Sequence, residues 1–187
     1  MVRSDWSSDV CSSDLTADPA TFFRGRYLYG PEKAAVRIVM ITDYQCPDCR
    51  KKEEEARRLL KAHDNISLTV KHFPFCQDCN QYAHKTLHPN ACWAARAAEA
   101  AGILHGDEGF YRMHFWLFDH GGLFETQAQL DAAVREIGYD PTGFSRAMQS
   151  EETLRRVKAD IEEARQLGIW QTPMIFINGV ELRGWYA

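Results

Sequence analysis

Val36-Arg-Ile-Val-Met-Ile-Thr-Asp-Tyr-Gln-Cys46-Pro-Asp-Cys49, with the charged run behind it to His63, spells a buried strand, a short loop, two cysteines three positions apart and a helix. Val36 to Ile41 is rich in β-branched residues and apolar on both faces, as in a central strand covered on two sides. Pro47 suits the first helical position, where a missing N–H costs nothing. The helix is predicted to run to about Ala62, with Ala56, Leu59, Leu60 and His63 toward the core. A Glu54–Arg58 pair is expected on its wet side.

This setting makes the thiols a candidate reaction centre. A nucleophilic sulfur must be a thiolate, and the free N–H groups at a helix start favour negative charge. Cys46 is the expected attacking thiol and Cys49, one turn in, the resolving one, exchanging disulfides through a mixed-disulfide intermediate. Pro47 stiffens the turn. An ionised Asp48 beside Cys46 should disfavour the thiolate, which predicts a milder redox poise than a strong oxidant has. The competing assignment, half of a zinc site, would need its other ligands from Cys76 and Cys79.

Downstream of the helix, Ile66, Leu68 and Val70 alternate with Ser67, Thr69 and Lys71, a second strand ending at Pro74. Strand, helix and strand then form a β-α-β unit with a right-handed crossover. Tyr27 to Tyr29 is a short edge strand before the Gly30-Pro31 turn. Ala91 to Ala101 is an alanine-rich helix stopped by Gly102. Phe110, Tyr111, Phe115, Trp116 and Phe118 follow, read as core and alternatively as a peptide groove. Thr126 and Gln129 form a capping box for a helix ending near Gly138. Asp140-Pro141 opens a short helix with Phe144 and Met148, and Ser150 caps a longer one, Glu151 to Leu167, closed by Gly168. Met174 to Ile177 returns to strand, turns at Asn178-Gly179 and pairs back through Val180 to Leu182.

With 45% apolar and 12% aromatic residues the chain can bury a full core. A net charge of −4 without a basic stripe argues against nucleic acid. No apolar run approaches the roughly 20 residues of a membrane span. Six cysteines are too few for a disulfide-built miniprotein. Met1 to Leu15, with Ser-Asp three times, reads as translated sequencing adaptor, so Cys11 is set aside. The alternative is a flexible tail. A native leader is expected to have been lost. The strand Val180 to Leu182, close to Ala187, leaves a sheet face without a closing helix, so truncation is expected there too.

Thr172-Pro173 ahead of the last hairpin makes a resemblance specific. Asp43-Tyr-Gln-Cys46-Pro-Asp-Cys49, together with Gly168-Ile-Trp-Gln-Thr172-Pro173-Met-Ile-Phe-Ile-Asn178-Gly179, resembles the DsbA-like branch of the thioredoxin superfamily, over roughly Tyr27 to Gly184. The resemblance implies an α/β thioredoxin-like fold, a central mixed sheet with a helix after the C-x-x-C. It makes residues 16–187 one domain, with a helical insertion at about 80–167 between a β-α-β half and a β-β half. Pro173 would be a cis-proline facing the thiols, in a loop that binds an extended substrate chain, and Thr172 would touch both. A threonine there resembles the isomerases and their relatives more than the strongest oxidase. Pro47-Asp48 departs from the Pro-His pair of the best-known oxidase, and neither the usual C-terminal helix nor a leader is present.

Cys76, Cys79 and Cys92 accompany His84 and His88 in a C-x2-C-x4-H-x3-H-x3-C pattern. Cys79-Asn80 followed by His88-Pro-Asn-Ala-Cys92 resembles a recurring element of DsbA-like sequences, which implies a structural Cys79–Cys92 disulfide. Zinc on the three cysteines and one histidine, and a second redox pair of Cys76 with Cys79, remain the alternatives. Trp170 and Gln171 are placed to flank a substrate; His63, His105, His114 and His120 are assigned no role.

The expected activity is thiol-disulfide exchange with cysteine-bearing protein substrates in the periplasm or cell envelope of a bacterium. No cofactor is called for, and a membrane or soluble redox partner would recycle the pair. The alternative is a non-catalytic thioredoxin-fold binding module with structural zinc at Cys76, Cys79 and Cys92.

Overall fold

The computed structural model describes residues 23–184. The adaptor-like tail with Cys11, and the last three residues, lie outside them. Five strands form one sheet in the order β1-β3-β2-β4-β5: β1 Leu28–Tyr29, β2 Val36–Thr42, β3 Ile66–His72, β4 Met174–Ile177 and β5 Val180–Glu181. β2 and β3 run parallel, joined through α1 (Pro47–Ala62), and the other pairings are antiparallel. The sheet is therefore mixed, as expected. Between β3 and β4 the chain forms α2 (Ala91–Asp119), α3 (Gln127–Glu136), α4 (Pro141–Met148) and α5 (Glu151–Gln166). None of these helices is long and apolar enough to cross a membrane.

Two apolar clusters account for the strand composition. Ile38, Met40, Leu68 and Val70 pack with α1, α2 and the aromatic run, whereas Ile41 packs with Val157, Ile161 and Ala164 of α5. Covered on both faces, β3 has no wet side: Ser67, Thr69 and Lys71 are buried with their apolar neighbours. Alternation there marks a change of neighbour rather than a change of solvent. Lys71 Nζ meets Glu163 at 2.6 Å and Asp160 at 3.8 Å, both from α5.

Asp160 belongs to a buried ionic cluster that ties four parts of the chain together. Its carboxylate accepts from Arg26 and from His72 N at 3.0 Å, and Arg26 also bonds Glu99 of α2 at 3.0 Å. His72 Nε2 and Arg156 approach Glu99 at 3.3 and 3.6 Å. The N-terminal segment, β3, α2 and α5 are all represented.

On α1 the buried stripe is Cys49, Glu53 and Ala56, with Leu60 packed at its edge. Leu59 is 46% exposed and His63 is exposed, contrary to expectation. The helical angle decides Leu59, since 49, 53, 56 and 60 share one face and residue 59 lies about 100° off it, whereas His63 is the C-cap, in extended conformation beyond the last helical residue. Glu53 takes the apolar place because Arg57 forks onto both its oxygens at 2.8 and 2.9 Å. Glu54 pairs with Arg50 at 3.6 Å instead of with Arg58.

The expected stop at Gly102 is also displaced. α2 continues through it and bends at Gly106 (φ 65°, ψ −151°). Gly102 instead lets the helix approach the Tyr27 ring, since a Cβ there would lie 2.2 Å from Tyr27 Cζ. Tyr27 is itself stacked on Phe110 at 4.6 Å and bonded to Arg156 at 2.7 Å. Changing Gly102 to Ala is therefore expected to lower stability by about 1–3 kcal/mol in denaturant unfolding. A neutral or stabilising change, as ordinary helix propensity would give, would contradict this packing. The expected caps of α3 and α5 form, through Thr126 and Ser150, and α4 opens at Asp140-Pro141 as expected, with Asp140 accepting from Gly143 N.

Candidate active site

β2 delivers the site. Ile41 pairs with Met174, so Thr172 and Pro173, just ahead of β4, extend over the loop that leaves β2. That loop is pinned by Asp43, whose Oδ1 accepts from Gln45 N at 2.8 Å and whose main-chain O accepts from Cys46 N at 3.1 Å. Cys46 is the N-cap of α1 in extended conformation, with Pro47 at its start. The Thr172–Pro173 peptide is cis. Cys46 Sγ lies 3.8 Å from Thr172 O, bringing together residues 126 positions apart.

The two sulfurs differ in environment. Cys46 is partly exposed, while Cys49 is fully buried and its Sγ accepts from Asp43 N at 3.5 Å. The Cys46 thiol is lowered from 9.0 to about 6. The hydrogen bond with the Cys49 thiol is the main cause; partial burial opposes it, and the Cys49 N–H, Thr172 and the Asp48 N–H add to it. Burial pushes Cys49 well above the ordinary thiol value, helped by the neighbouring Cys46. One sulfur is thus prepared to carry charge and the other to hold a proton.

Asp48 bears on Cys46 through its backbone. Its carboxylate turns to Lys51 Nζ at 3.0 Å on the exposed side of the helix, and its contribution to Cys46 is a backbone N–H that favours the thiolate. Thr172 favours the ionised form of both sulfurs, and Thr42 that of Cys49.

In the second cysteine group, Cys79 and Cys92 are joined by a disulfide. Their sulfurs are committed to each other, which removes the ligands the zinc assignment needed and the partner for a Cys76–Cys79 pair. Cys76 is a buried free thiol with Sγ 3.5 Å from Pro89 O. His84 is exposed, and His88 turns away to Asp43 Oδ2 at 2.8 Å. Among the described residues, the group with metal-ligand spacing is His72, Glu99 and Asp160. Arg26 already bonds both of its acids.

The aromatic run is core, with Phe110, Tyr111 and Phe118 buried. Trp170 is 56% exposed, with the Arg165 guanidinium 3.3 Å from its ring centre. His114 is buried with Nδ1 3.0 Å from Tyr44 OH, and burial keeps it neutral by lowering it well below its ordinary value. Thr42 and Asp43 are contributors that residue spacing did not select, and spacing had placed His88 with the second cysteine group instead. The available signal was an Asp two positions before Gln45, where its side chain can bond a backbone N–H.

The comparisons agree with this geometry. A family model described as thioredoxin matches residues 24–184. A thioredoxin-like oxidoreductase from Silicibacter pomeroyi superposes with a TM-score of 0.64 and 25% identity, covering 84% of this chain and 82% of that one. The thiol-disulfide exchange protein alpha-DsbA2 from Wolbachia pipientis gives 0.67 at 21% identity, covering 84% and 78%. A curated relative, the Na(+)/H(+) antiporter NhaA 1 of Salinispora arenicola, is 32% identical over 86% of this chain. The chain spans about a fifth of that relative's length, 22%. A parallel β-α-β unit with C-x-x-C at its helix start, its first sulfur 3.8 Å from the carbonyl ahead of a cis-proline, and a family match along nearly all of the described length place the chain in the thioredoxin superfamily with a DsbA-like fold.

Proposed function

We propose that Cys46 and Cys49 exchange disulfides with cysteine-bearing protein substrates outside the cytoplasm. The observation that carries this reading is the unequal pair: a thiol lowered to about 6 at a helix start, beside a buried protonated one. The Cys46 thiolate attacks a substrate disulfide. That S–S bond breaks, one substrate sulfur leaves and takes a proton, and a Cys46–substrate disulfide remains. Cys49 then gives up its proton and attacks Cys46 Sγ, closing the Cys46–Cys49 bond and releasing the second substrate thiol. The substrate gains two electrons and the pair loses two; the reverse sequence oxidises a dithiol.

Thr172 and Pro173 border Cys46 and supply the edge along which an extended substrate chain would lie, while Pro47 and Asp48 shape the helix start. A stabilised thiolate favours the reduced pair at neutral pH, so the oxidised pair accepts electrons more readily than an unperturbed disulfide. This points away from the mild poise first expected from Asp48. The Cys79–Cys92 disulfide supports an oxidising compartment, and a separate redox partner would restore the pair.

The test is disulfide exchange with a model peptide, followed in both directions to give a reduction potential. Exchange should depend on Cys46 and survive Cys76→Ser. Exchange that persists without Cys46, or no exchange by the intact protein, would overturn the assignment.

A further inference from the structure

Asp43 is fully buried and sits at the junction of the two sulfurs and the loop after β3. Its main chain donates to Cys49 Sγ and accepts from Cys46 N. Its side chain accepts from Gln45 N, Phe75 N and His88 Nδ1, each at 2.8 Å. The loop carrying His88 is fastened to this site: Asn90 N donates to Gln45 Oε1 at 2.6 Å, and Asn90 Nδ2 to Gly122 O at 2.6 Å. His88 N bonds Phe75 O at 3.2 Å, and the Cys79–Cys92 disulfide closes the loop.

We propose that His88, held on the buried Asp43 carboxylate, is the cationic partner that tunes the Cys46 thiolate. The inference rests on the exchange function proposed for Cys46. Asp43, whose main chain bonds both cysteines, carries a fully buried side-chain carboxylate, and a buried charge is costly unless a cation compensates it. His88 is the side chain that can do so: it is partly open to solvent, and its bond to Asp43 fixes the ring. The charges that bear on it are Asp43, from the loop after β2, and Cys46, at the start of α1. The face of the Phe75 ring is uncharged and packs edge-on to it at 6.2 Å. The bond to Asp43 raises His88 above 6.5, against partial burial, and the Cys46 charge raises it further. Coupling between two sites is reciprocal, so a protonated His88 must in turn favour the Cys46 thiolate. His88 is a positioning residue, acting on the reacting sulfur without touching substrate.

Reciprocity supplies a test with two readouts. The ionisation of Cys46, read by thiolate absorbance, is compared in the reduced protein and in His88→Gln. The variant should need a higher pH to ionise Cys46, with exchange about threefold slower on the acid side of the midpoint and unaltered above it. The titration of His88, followed by NMR, is compared in the reduced protein and in Cys46→Ser, which leaves the histidine and its loop in place. His88 should titrate at a lower pH when the Cys46 charge is absent. If Cys46 ionises near 6 in the intact protein but neither midpoint moves, the His88 proposal is overturned while the exchange function stands. If Cys46 ionises as an unperturbed thiol in the intact protein, the His88 proposal fails, while the exchange function is judged separately by whether exchange occurs and depends on Cys46.

Discussion

Changing Cys46 to serine is expected to reduce disulfide exchange by about a thousandfold or more, since the attacking atom is removed and, among the described residues, no second thiolate is placed to replace it. Cys49 is buried and held protonated, and Cys76 is buried with its thiol pushed up by burial. In the intact protein the rate should climb as pH rises toward about 6 and level off above it, because the thiolate is the reactive form. At about pH 7 the thiolate would outnumber the thiol by about ten to one. Initial rates of peptide-disulfide reduction across pH give both results. A rate still climbing toward the ordinary thiol value of 9.0 would show that the helix start and Cys49 do not hold the charge.

Changing Asp160 to Ala should be the most damaging substitution outside the site. The side chain is 1% exposed and meets Arg26 and Lys71, so removing it strands a guanidinium and an ammonium with reduced compensation. Breaking a buried ion pair from one side costs about 3–5 kcal/mol. Urea unfolding should show this loss, and one smaller than about 1 kcal/mol would mean that the cluster behaves as a surface pair. Acid should act on the same cluster through Glu99. Burial pushes that carboxyl up, but His72, Arg26 and Arg156 outweigh it and hold it below 4.5. A depressed carboxyl adds stability that is fully present above the unfolded value of 4.5 and is lost as pH falls through the lower folded value. Unfolding midpoints followed below pH 4.5 should therefore fall less steeply in Glu99→Gln than in the intact protein.

What the sequence disclosed was local or periodic. β2 could be read from its apolar run, α1 from Pro47, the last hairpin from Asn178-Gly179, and three helix starts from their caps, because each signal lies within a few residues of its effect. The site's second half could be read only because Thr172-Pro173 sits directly before a strand. What stayed hidden depended on partners far along the chain. Lys71 showed only as a member of an alternating strand, and its partner Glu163 lies 92 positions later. Gly102 looked like a stop because Tyr27 was not known to lie against it. Asp48 was read by its charge alone, whereas its side chain faces Lys51 and its N–H faces Cys46. His88 was grouped with the cysteines by spacing, whereas the fold turns it to Asp43.

The central claim, that Cys46 attacks and Cys49 resolves, is tested most directly by trapping. Cys49→Ala is mixed with a protein substrate carrying a disulfide, free thiols are blocked, and covalent complexes are separated under non-reducing conditions and mapped by mass spectrometry. The geometry predicts a stable mixed disulfide at Cys46, absent from the Cys46→Ala, Cys49→Ala double variant. No complex in the single variant, or a complex mapped to Cys76, would contradict it.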